Sequence, residues 1–429
     1  MTFFRLLIAC FLMGAGLLAG AVPAHAGTAI GGTLRVKSAD APAPVDGVQL
    51  TVQSVQTGQA FRGRSGPDGR FEIALPSAGS YRITLDASSL PSGVLLPADR
   101  PATLTVDVQE GQRKLVLYPL ERAGAVQEQQ GPSAATRVMQ VVLDGTVFGL
   151  IVAMAAVGLS LIYSVSRIIN FAHGEFMTLG ALLAFLLSSM AGGPQWPLIA
   201  SAAVAVLAVG ALGGALGTGL LRPLESRAKE HFAILVFTIG LSFAMRYLLL
   251  ALFESNTQPY REYALQEPLR FAGLAITPRD LVVCAIAVLA LLGLGVLLLR
   301  TRLGRAMRAV AGDPGLAEAT GIDVNRIKRD IWIVGSALAA TGGVLMAVSH
   351  QVRWDMGYQT LMFVFAAVIL GGIGTAFGTI AGGIVLGICM ELGTLVFPVE
   401  LKTALAMLAL AAVLLVRPQG LFNRAQRVG

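Results

Sequence analysis

Long apolar runs separated by short polar segments fill the chain from Val138 onward. A helix needs about 20 apolar residues to cross the roughly 30 Å hydrocarbon core of a bilayer. Nine runs reach or approach that length: 139–162, 175–191, 197–221, 232–253, 281–300, 331–349, 361–376, 378–397 and 399–416. The pattern therefore predicts a mainly α, polytopic bundle of membrane helices over 138–417. Glycines crowd the middle of 361–397, which is either two spans or one re-entrant pair.

Apolar and polar residues alternate with period two before this region, in the segments 34–36, 48–52, 71–75, 81–85 and 104–108. Turn residues separate them, as in Pro67-Asp68-Gly69. Short strands at this spacing predict a β-sandwich over 27–122. A polar linker over 123–137 leads from the predicted sandwich to the first apolar run.

The first residues have the pattern of a secretory signal peptide. Arg5 precedes an apolar run from Leu6 to Val22, and a small-residue site, Ala24-His25-Ala26, follows it. We expect cleavage after Ala26, so that residues 1–26 are lost and the sandwich lies outside the cytoplasm.

The basic residues fix the expected orientation of the nine runs. If the first run enters from outside, the cytosolic loops and the tail, 418–429, contain most of them: Arg167, Arg222, Arg227, Lys229, Arg300, Arg302, Arg305, Arg308, Arg326, Lys328, Arg329, Arg417, Arg424 and Arg427. The outer loops contain fewer: Arg261, Arg270, Arg279, Arg353 and Lys402. This asymmetry satisfies the positive-inside rule for a multi-pass protein of the plasma (inner) membrane.

Composition narrows the function classes. The chain of 429 residues is 55% hydrophobic and only 13% charged, which is typical of a membrane protein. Its net charge of +7 comes from residues that flank apolar runs, so it does not indicate nucleic-acid binding. Three cysteines provide no disulfide framework, and the sequence contains no phosphate-binding loop motif for ATP. We expect no enzyme, no cofactor and no metal site. His173 and Glu175 are poorly placed to bind a metal ion together, because residues two apart point to different sides of a helix.

The longest polar interruption of the apolar region runs from Arg300 to Asp330. Asp313 is suited to an N-cap, Pro314 to the first helical position, and Gly321 to a left-handed C-terminal cap. These residues predict a two-turn helix over 314–320, and the following helix begins after Asp323 or Asn325. The segment is either an ordinary basic loop or a helix on which another protein docks.

Small and polar residues within the apolar runs are further candidates. Gly210 and Gly214, and the series Gly374, Gly378 and Gly382, recur every four residues and predict faces of close helix packing, within one chain or across a dimer.

Ionisable groups at membrane depth are functional candidates, which gives the translocation-path candidates Asn170, His173, Glu175 and Glu391. The first three could instead form a helix-terminal elbow around Gly174. Arg246 either faces the bundle interior or extends its charge to the membrane surface.

Five separated motifs resemble, in order, those of branched-chain amino-acid ABC transporter permeases of the LivH type. They are R-I-I-N-F-A-H-G-E-F-M-T-L-G-A from Arg167, L-R-P-L with F-T-I-G-L-S, G-R-A-M-R-A-V-A-G-D-P-G-L-A-E-A-T-G-I, V-I-L-G-G-I-G-T-A-F-G-T-I-A-G-G and R-P-Q-G-L-F. The resemblance covers about 140–425. The pattern S-G-P-D-G-R-F-E-I-A-L near residue 70 resembles carboxypeptidase-regulatory or transthyretin-like sandwiches, which implies a fold and no chemistry.

The permease resemblance implies an importer subunit for branched-chain amino acids or related small polar solutes. Its implied partners are cytosolic ABC ATPase subunits, a solute-binding protein outside the cytoplasm, and a second permease subunit (LivM-like) or a second copy of this chain. It identifies the 313–321 helix as the ATPase-coupling helix, with the coupling residues Asp313, Pro314, Leu316, Ala317, Glu318 and Gly321. Such permeases usually lack a signal peptide and a sandwich. Two other classes remain open from the residues: an ion-coupled secondary transporter, and a membrane sensor that uses the sandwich to bind its ligand.

Overall fold

The chain forms two compact units, one within Leu18–Gly131 and one that includes Pro132–Gly429. A computed structural model describes residues 29–37, 43–96, 103–108, 113–122, 133–189, 194–227, 231–253, 260, 268–271, 273–416 and 420. The predicted signal peptide, most of the predicted linker and all of the predicted cytosolic tail except Gly420 lie outside these residues. The two units are described separately.

The described residues of the first unit form nine strands in two sheets. In chain order they are β1 (Ala29–Lys37), β2 (Ala43–Pro44), β3 (Gln49–Ser54), β4 (Ala60–Arg64), β5 (Arg70–Ala74), β6 (Gly79–Leu85), β7 (Val94–Leu95), β8 (Thr103–Val108) and β9 (Arg113–Arg122). One sheet has the order β2-β1-β9-β7, with β5 also paired to β1, and the other has the order β4-β3-β6-β8. The pairing of β1 with β9 is parallel, whereas all other pairings are antiparallel.

Both sheets contribute to one hydrophobic core. Ile30 and Leu34 of β1 and Leu50 and Ile83 of the second sheet are fully buried in the same cluster. Each of the five predicted strands is present, because alternating burial requires alternating apolar residues. The pattern missed β9, whose Leu115-Val116-Leu117-Tyr118 is continuously apolar and does not alternate.

The second unit is helical. Its helices are α1 (Ala134–Ser166), α2 (His173–Ser188), α3 (Leu198–Leu216), α4 (Arg222–Arg227), α5 (His231–Phe253), α6 (Pro278–Arg300), α7 (Arg302–Gly312), α8 (Pro314–Ala319), α9 (Val324–Ser349), α10 (Met356–Gly371), α11 (Ala376–Gly393) and α12 (Lys402–Val416). A π-helical turn, Gly217–Leu221, joins α3 to α4, and a hairpin of β10 (Leu269–Phe271) and β11 (Leu274–Ile276) precedes α6.

Every predicted apolar run corresponds to one helix in the described residues. Six helices are long and apolar enough to cross a membrane, and α2, α10 and α12 are shorter apolar helices. The stretch 361–397 forms two helices, α10 and α11. The first helix begins at Ala134, inside the stretch expected as linker, because Ser133 accepts a hydrogen bond from the backbone N–H of Thr136 and caps it.

Contacts between distant segments define two ends of the bundle. At the basic end, Lys328 pairs with Glu225 at 3.0 Å, and Gly374 lies beside Tyr163 near the end of α1. At the opposite end, the side-chain amide of Gln140 exchanges two hydrogen bonds with the backbone of Ala275. The number of crossings and their orientation stay predictions.

Glycine contacts hold α1 against its neighbours. Gly158 of α1 faces Gly335 of α9, and Gly145 and Gly149 face Gly383 and Gly387 of α11. A side chain at any of these positions would collide with the backbone of the facing helix. Because lipid supplies no hydrophobic drive between helices, such close approach provides the packing energy.

Four of the five predicted packing glycines lie against a neighbouring helix. Gly210 and Gly214 lie against Ile333 of α9, Gly378 lies against Gly371, and Gly382 lies against Ala367 of α10, all within the chain. The prediction for Gly374 is wrong. This residue lies in the turn before α11 at φ 83° and therefore shares no helical register with Gly378 and Gly382. Its positive φ, which favours glycine, explains the residue there.

Replacing Gly387 by alanine tests this packing. Alanine is the better helix former by about 1 kcal/mol, but its Cβ at 387 would meet the carbonyl oxygen of Gly145. We expect Gly387→Ala to destabilise the purified protein by roughly 1–3 kcal/mol, seen as earlier thermal loss of its monodisperse peak. The control Gly293→Ala changes a helix position with nothing within 4 Å and should be neutral or stabilising. Equal behaviour of the two variants would contradict the packing.

Candidate functional site

The chain turns back into the bundle directly after α1. Arg167 ends α1 in the left-handed conformation at φ 56°, which is costly for a residue with a Cβ. The next five residues are not helical, and the fully buried His173 then begins α2 with its Nε2 2.9 Å from the carbonyl oxygen of Ala155. Ala155 lies eleven residues before the end of α1, about 16 Å along its axis. Helix α2 therefore begins deep inside the bundle.

Helix α10 begins at the same place. The backbone N–H of Gly357 donates to Thr178 Oγ1 at 3.0 Å, and the backbones of Gly174 and Gly357 are in direct contact. The first turns of two short helices thus meet in buried surroundings. We call this meeting of 173–178 with 356–358 the junction.

Two of the four predicted path residues stabilise backbone near the junction. Asn170 is almost fully buried, and its Oδ1 accepts from the N–H of Ala172 at 3.0 Å. The His173 ring makes the contact with Ala155 described above. These bonds favour the elbow interpretation for Asn170 and His173, because their side chains satisfy backbone groups where regular helix is interrupted.

Glu175 differs from both. It is fully buried, and its Oε1 accepts a hydrogen bond of 2.9 Å from the hydroxyl of Ser242 on α5. Its Oε2 has no hydrogen-bond partner among the described residues. A buried carboxylate with an unused oxygen is the strongest candidate for contact with a solute.

A stripe of polar residues at every fourth position attaches α5 to this region. Thr238, Ser242 and Arg246 are 0%, 5% and 6% exposed, respectively. Their contacts follow in order: Thr238 Oγ1 reaches the carbonyl oxygen of Ile169, Ser242 reaches Glu175, and Arg246 packs over the ring of Tyr358 at 3.9 Å. Arg246 therefore faces inward, and the alternative that it extends to the membrane surface is wrong. The spacing T-x-x-x-S-x-x-x-R was the signal from which the sequence could have identified the stripe.

Glu391 is not part of the junction. Its Oε1 lies 2.6 Å from Lys402 Nζ at the opposite end of the bundle, and its Cβ faces Gly145 near the start of α1. The structure thus brings Asn170, His173 and Glu175 together and places Glu391 elsewhere.

The polar segment at the basic end contains the predicted short helix. Helix α8 is one residue shorter than expected, and Asp313 accepts hydrogen bonds from the N–H groups of Gly315 and Leu316 at 2.9 and 3.0 Å. Gly321 has the expected left-handed conformation at φ 86°, and Asp323 caps α9.

The sequence did not predict helix α7. The sequence signal for this helix was Thr301, which is its N-cap, followed by residues at the helical spacing 304, 307 and 310 that are buried in the structure.

Helix α8 presents an exposed face. Ala317 is buried beneath it, whereas Leu316 is 66% exposed and Pro314 and Glu318 are also exposed. Arg167 connects this region to the junction, because its guanidinium donates to the carbonyl oxygen of Ala311 at the end of α7 at 2.9 Å. Arg167, the strained residue at the end of α1, therefore also contacts the last turn of α7, directly before α8.

Apolar helices around a buried polar centre characterise a multi-pass membrane transport protein. Within the described residues, His, Cys, Asp and Glu do not form a group of three or more that could hold a metal ion.

Comparison with known proteins gives the family. The family model described as branched-chain amino acid transport system / permease component matches residues 141–416. The chain is 31% identical to the high-affinity branched-chain amino acid transport system permease protein LivH of Escherichia coli K12, over 67% of this chain and 96% of that protein. It is 30% identical to BraD of Pseudomonas aeruginosa over the same shares, and 27% identical to the permease LivM of Escherichia coli K12 over 58% of this chain and 63% of LivM. The chain belongs to the family of branched-chain amino acid transport permeases. It is not an enzyme.

Removing the Ser242 hydroxyl tests the contact between α5 and Glu175. In Ser242→Ala the buried carboxylate loses its hydrogen-bond donor, and we expect a loss of about 1–3 kcal/mol in thermal stability. Ser201→Ala is the matched control, since Ser201 is equally buried but its hydroxyl contacts only local carbonyl oxygens of Trp196 and Pro197. A larger effect at Ser201 would show that the contact is unimportant.

Proposed function

We propose that this chain is the transmembrane subunit of an ABC importer for branched-chain amino acids or related small polar solutes. The carrying observation is α8: a capped, two-turn helix with an exposed apolar residue at the basic end of a family permease. Such a helix is too short to be stable alone in water and is suited to a groove on another protein. In this proposal the partner is the ABC ATPase, and Asp313, Pro314, Leu316, Ala317, Glu318 and Gly321 form the coupling contact.

The other partners follow from the same proposal. A second permease, LivM-like or a copy of this chain, completes the pathway, and a binding protein delivers the solute from outside the cytoplasm. A signal peptide over 1–26 exports the β unit, 27–122, which stabilises docking of that binding protein. The 123–137 linker connects the β unit to the permease domain. The 138–417 domain lies in the membrane lipid, and 418–429 is a cytosolic tail.

The junction is proposed as part of the solute path. Glu175 would face the solute, while Asn170 and His173 would hold the turn that positions it. Glu391, paired with Lys402 at the opposite end, would line the outer entrance.

Reconstituted uptake tests the proposal. Liposomes containing the chain with its ATPase, second permease and binding protein should accumulate L-leucine when ATP is supplied to the ATPase side. A proton or sodium gradient without ATP should drive none. Uptake driven by the gradient alone would instead establish the secondary-transporter class.

A substitution on the exposed face of α8 tests coupling. Leu316→Asp leaves the buried side of the helix unchanged, so the chain should insert and remain folded, while ATP-driven uptake falls about tenfold or more because a charge replaces an apolar anchor. Asn325→Asp is the matched control: it adds the same charge at an exposed position on the same polar segment and should transport normally. Normal uptake by Leu316→Asp would exclude the coupling role.

Thiol labelling tests the orientation. A cysteine replacing Ser88 or Gln195 should react with an impermeant thiol reagent in intact cells, whereas one replacing Ala319 or Asn325 should react only after the membrane is opened. The physical basis is the concentration of basic residues at one end of the bundle. The assay uses a background in which the native Cys284 and Cys389 are replaced by serine. Labelling of Ala319→Cys in intact cells would place α8 outside, where no ATPase reaches it.

A further inference from the structure

Two buried side chains of opposite charge near the junction have unused binding capacity. Glu175 uses one carboxylate oxygen for Ser242, and its Oε2 has no partner among the described residues. Arg246 is 6% exposed and lies over the rings of Tyr358, Phe243 and Tyr247 at 3.9, 4.6 and 5.6 Å. Within the described part of the chain, no carboxylate lies at ion-pair distance from Arg246.

Both groups lie beside the junction. Ser242, which holds Glu175, and Arg246 are four residues apart on α5 and therefore lie on one face. Tyr358, which Arg246 contacts, directly follows Gly357, whose backbone touches Gly174 next to Glu175. Glu175 on α2 and Arg246 on α5 thus both lie beside the junction, and Ser242 links Glu175 to α5 one turn from Arg246.

This arrangement is costly without a ligand. A buried charge requires a partner. Glu175 and Arg246 could satisfy each other by pairing directly, but no carboxylate lies at ion-pair distance from Arg246 among the described residues. The nearby Asp355 is already paired with Arg353 at 3.2 Å. The ring contacts stabilise only the faces of the Arg246 guanidinium and leave its N–H edge free for a planar acceptor.

We propose that Glu175 and Arg246 bind the zwitterionic group of a free α-amino acid as it crosses the membrane. The solute carboxylate would accept hydrogen bonds from the Arg246 guanidinium edge, and its ammonium group would donate to Glu175 Oε2. The Glu175 carboxylate is held at Ser242, one turn or about 5.4 Å along α5 from Arg246, a separation that one α-amino acid hydrogen-bonded at both ends can span. Thr238 and Ser242 continue the polar wall toward the basic end. This inference rests on the proposed function and specifies its solute.

The surface exposure of Tyr358 indicates how the site is reached. The ring covers the Arg246 guanidinium and is itself 41% exposed, whereas Arg246 and Glu175 are buried. Movement of this ring would uncover one face of the guanidinium, whereas Phe243 and Tyr247 would stay in contact with it. Tyr358 would thus cover one side of the site.

Binding measurements on the assembled transporter test the site without selection by the binding protein. The full chain, with its ATPase and second permease subunits in lipid nanodiscs, is equilibrated with radiolabelled L-leucine in the absence of binding protein and nucleotide. Two competitors each lack one charge: isopentylamine has no carboxylate, and 4-methylpentanoate has no amino group. In the wild type, each should compete about tenfold or more weakly than leucine, because each lacks a charge-assisted hydrogen bond.

The two charge-removing variants should have opposite specificities. In Arg246→Gln, leucine affinity should fall to that of isopentylamine, while isopentylamine affinity is unchanged. In Glu175→Gln, leucine affinity should fall to that of 4-methylpentanoate, while the acid binds as before. The controls Arg270→Gln and Glu225→Gln, at positions outside the junction, should bind leucine like the wild type. If Glu175 and Arg246 had a purely structural role, each variant would lower the affinity for all three compounds together.

The site is overturned if the wild type shows no saturable leucine binding, or if each variant changes all three affinities equally or not at all. Should Arg246→Gln fail to assemble, Arg246→Lys is measured instead: it keeps the charge but loses the planar fork, so leucine affinity should fall while isopentylamine affinity is unchanged. Failure of the proposed function is a separate result: wild-type liposomes would then show no ATP-driven uptake. Normal uptake with unchanged specificity in both variants would reject the amino-acid site alone.

Discussion

The helical unit depends on one constraint: every backbone polar group within an apolar interior needs a partner. Helices α2 and α10 both begin inside the bundle, where their first N–H groups have no carbonyl of their own helix. Thr178 Oγ1 supplies the partner for Gly357, and Asn170 Oδ1 supplies that for Ala172. The two helices approach closely enough only because Gly174 and Gly357 lack side chains. The interruption that creates these unsatisfied ends also creates the polar junction.

The surrounding helices divide into a rigid frame and a loosely attached part. Glycine contacts at Gly158 and Gly387 hold α9 and α11 against α1 over backbone-to-backbone distances. Helix α5, by contrast, has outward-facing side chains such as Phe232 and Val236 that are half exposed or more, and the polar stripe is its main attachment to the junction. Polar contacts can exchange partners at modest cost, whereas interlocked backbones cannot. A solute that competes for Ser242 and Arg246 would therefore act on the part of the bundle that is easiest to move.

Arg167 gives this junction a physical connection to the basic end. The residue begins the return segment in a strained backbone conformation and donates to Ala311, two residues before the cap of α8. A displacement of α8 would reach 168–172 through this bond, over a few residues and without a long chain of side chains. The exposed Leu316 and the buried Glu175 are thus linked by two short segments, 311–316 and 167–175, and by the hydrogen bond between Arg167 and Ala311.

Local signals in the sequence determined most of the elements. Run lengths gave the nine apolar helices, alternation gave five of the strands, and Asp313 and Gly321 gave α8, because caps and periodicity act over about four residues. Local signals failed where an element had an unusual environment. The strand β9 pairs with β1 and contains a continuous apolar stretch, and Gly374 follows the spacing of a packing series although it lies in a turn.

The sequence alone indicated the class of protein, and it predicted an orientation from the basic residues and a coupling-helix candidate, since each depends on composition or on neighbours along the chain. Only the tertiary structure decided which polar residues meet. It joined Glu175 with Ser242, 67 residues away, placed Arg246 over Tyr358, and separated Glu391 by pairing it with Lys402. These pairings follow from helix contacts between distant segments, and no property of a single segment specifies its partner. The sequence thus specifies the charged residues, and the packing of α2, α5 and α10 brings Glu175 and Arg246 to the junction.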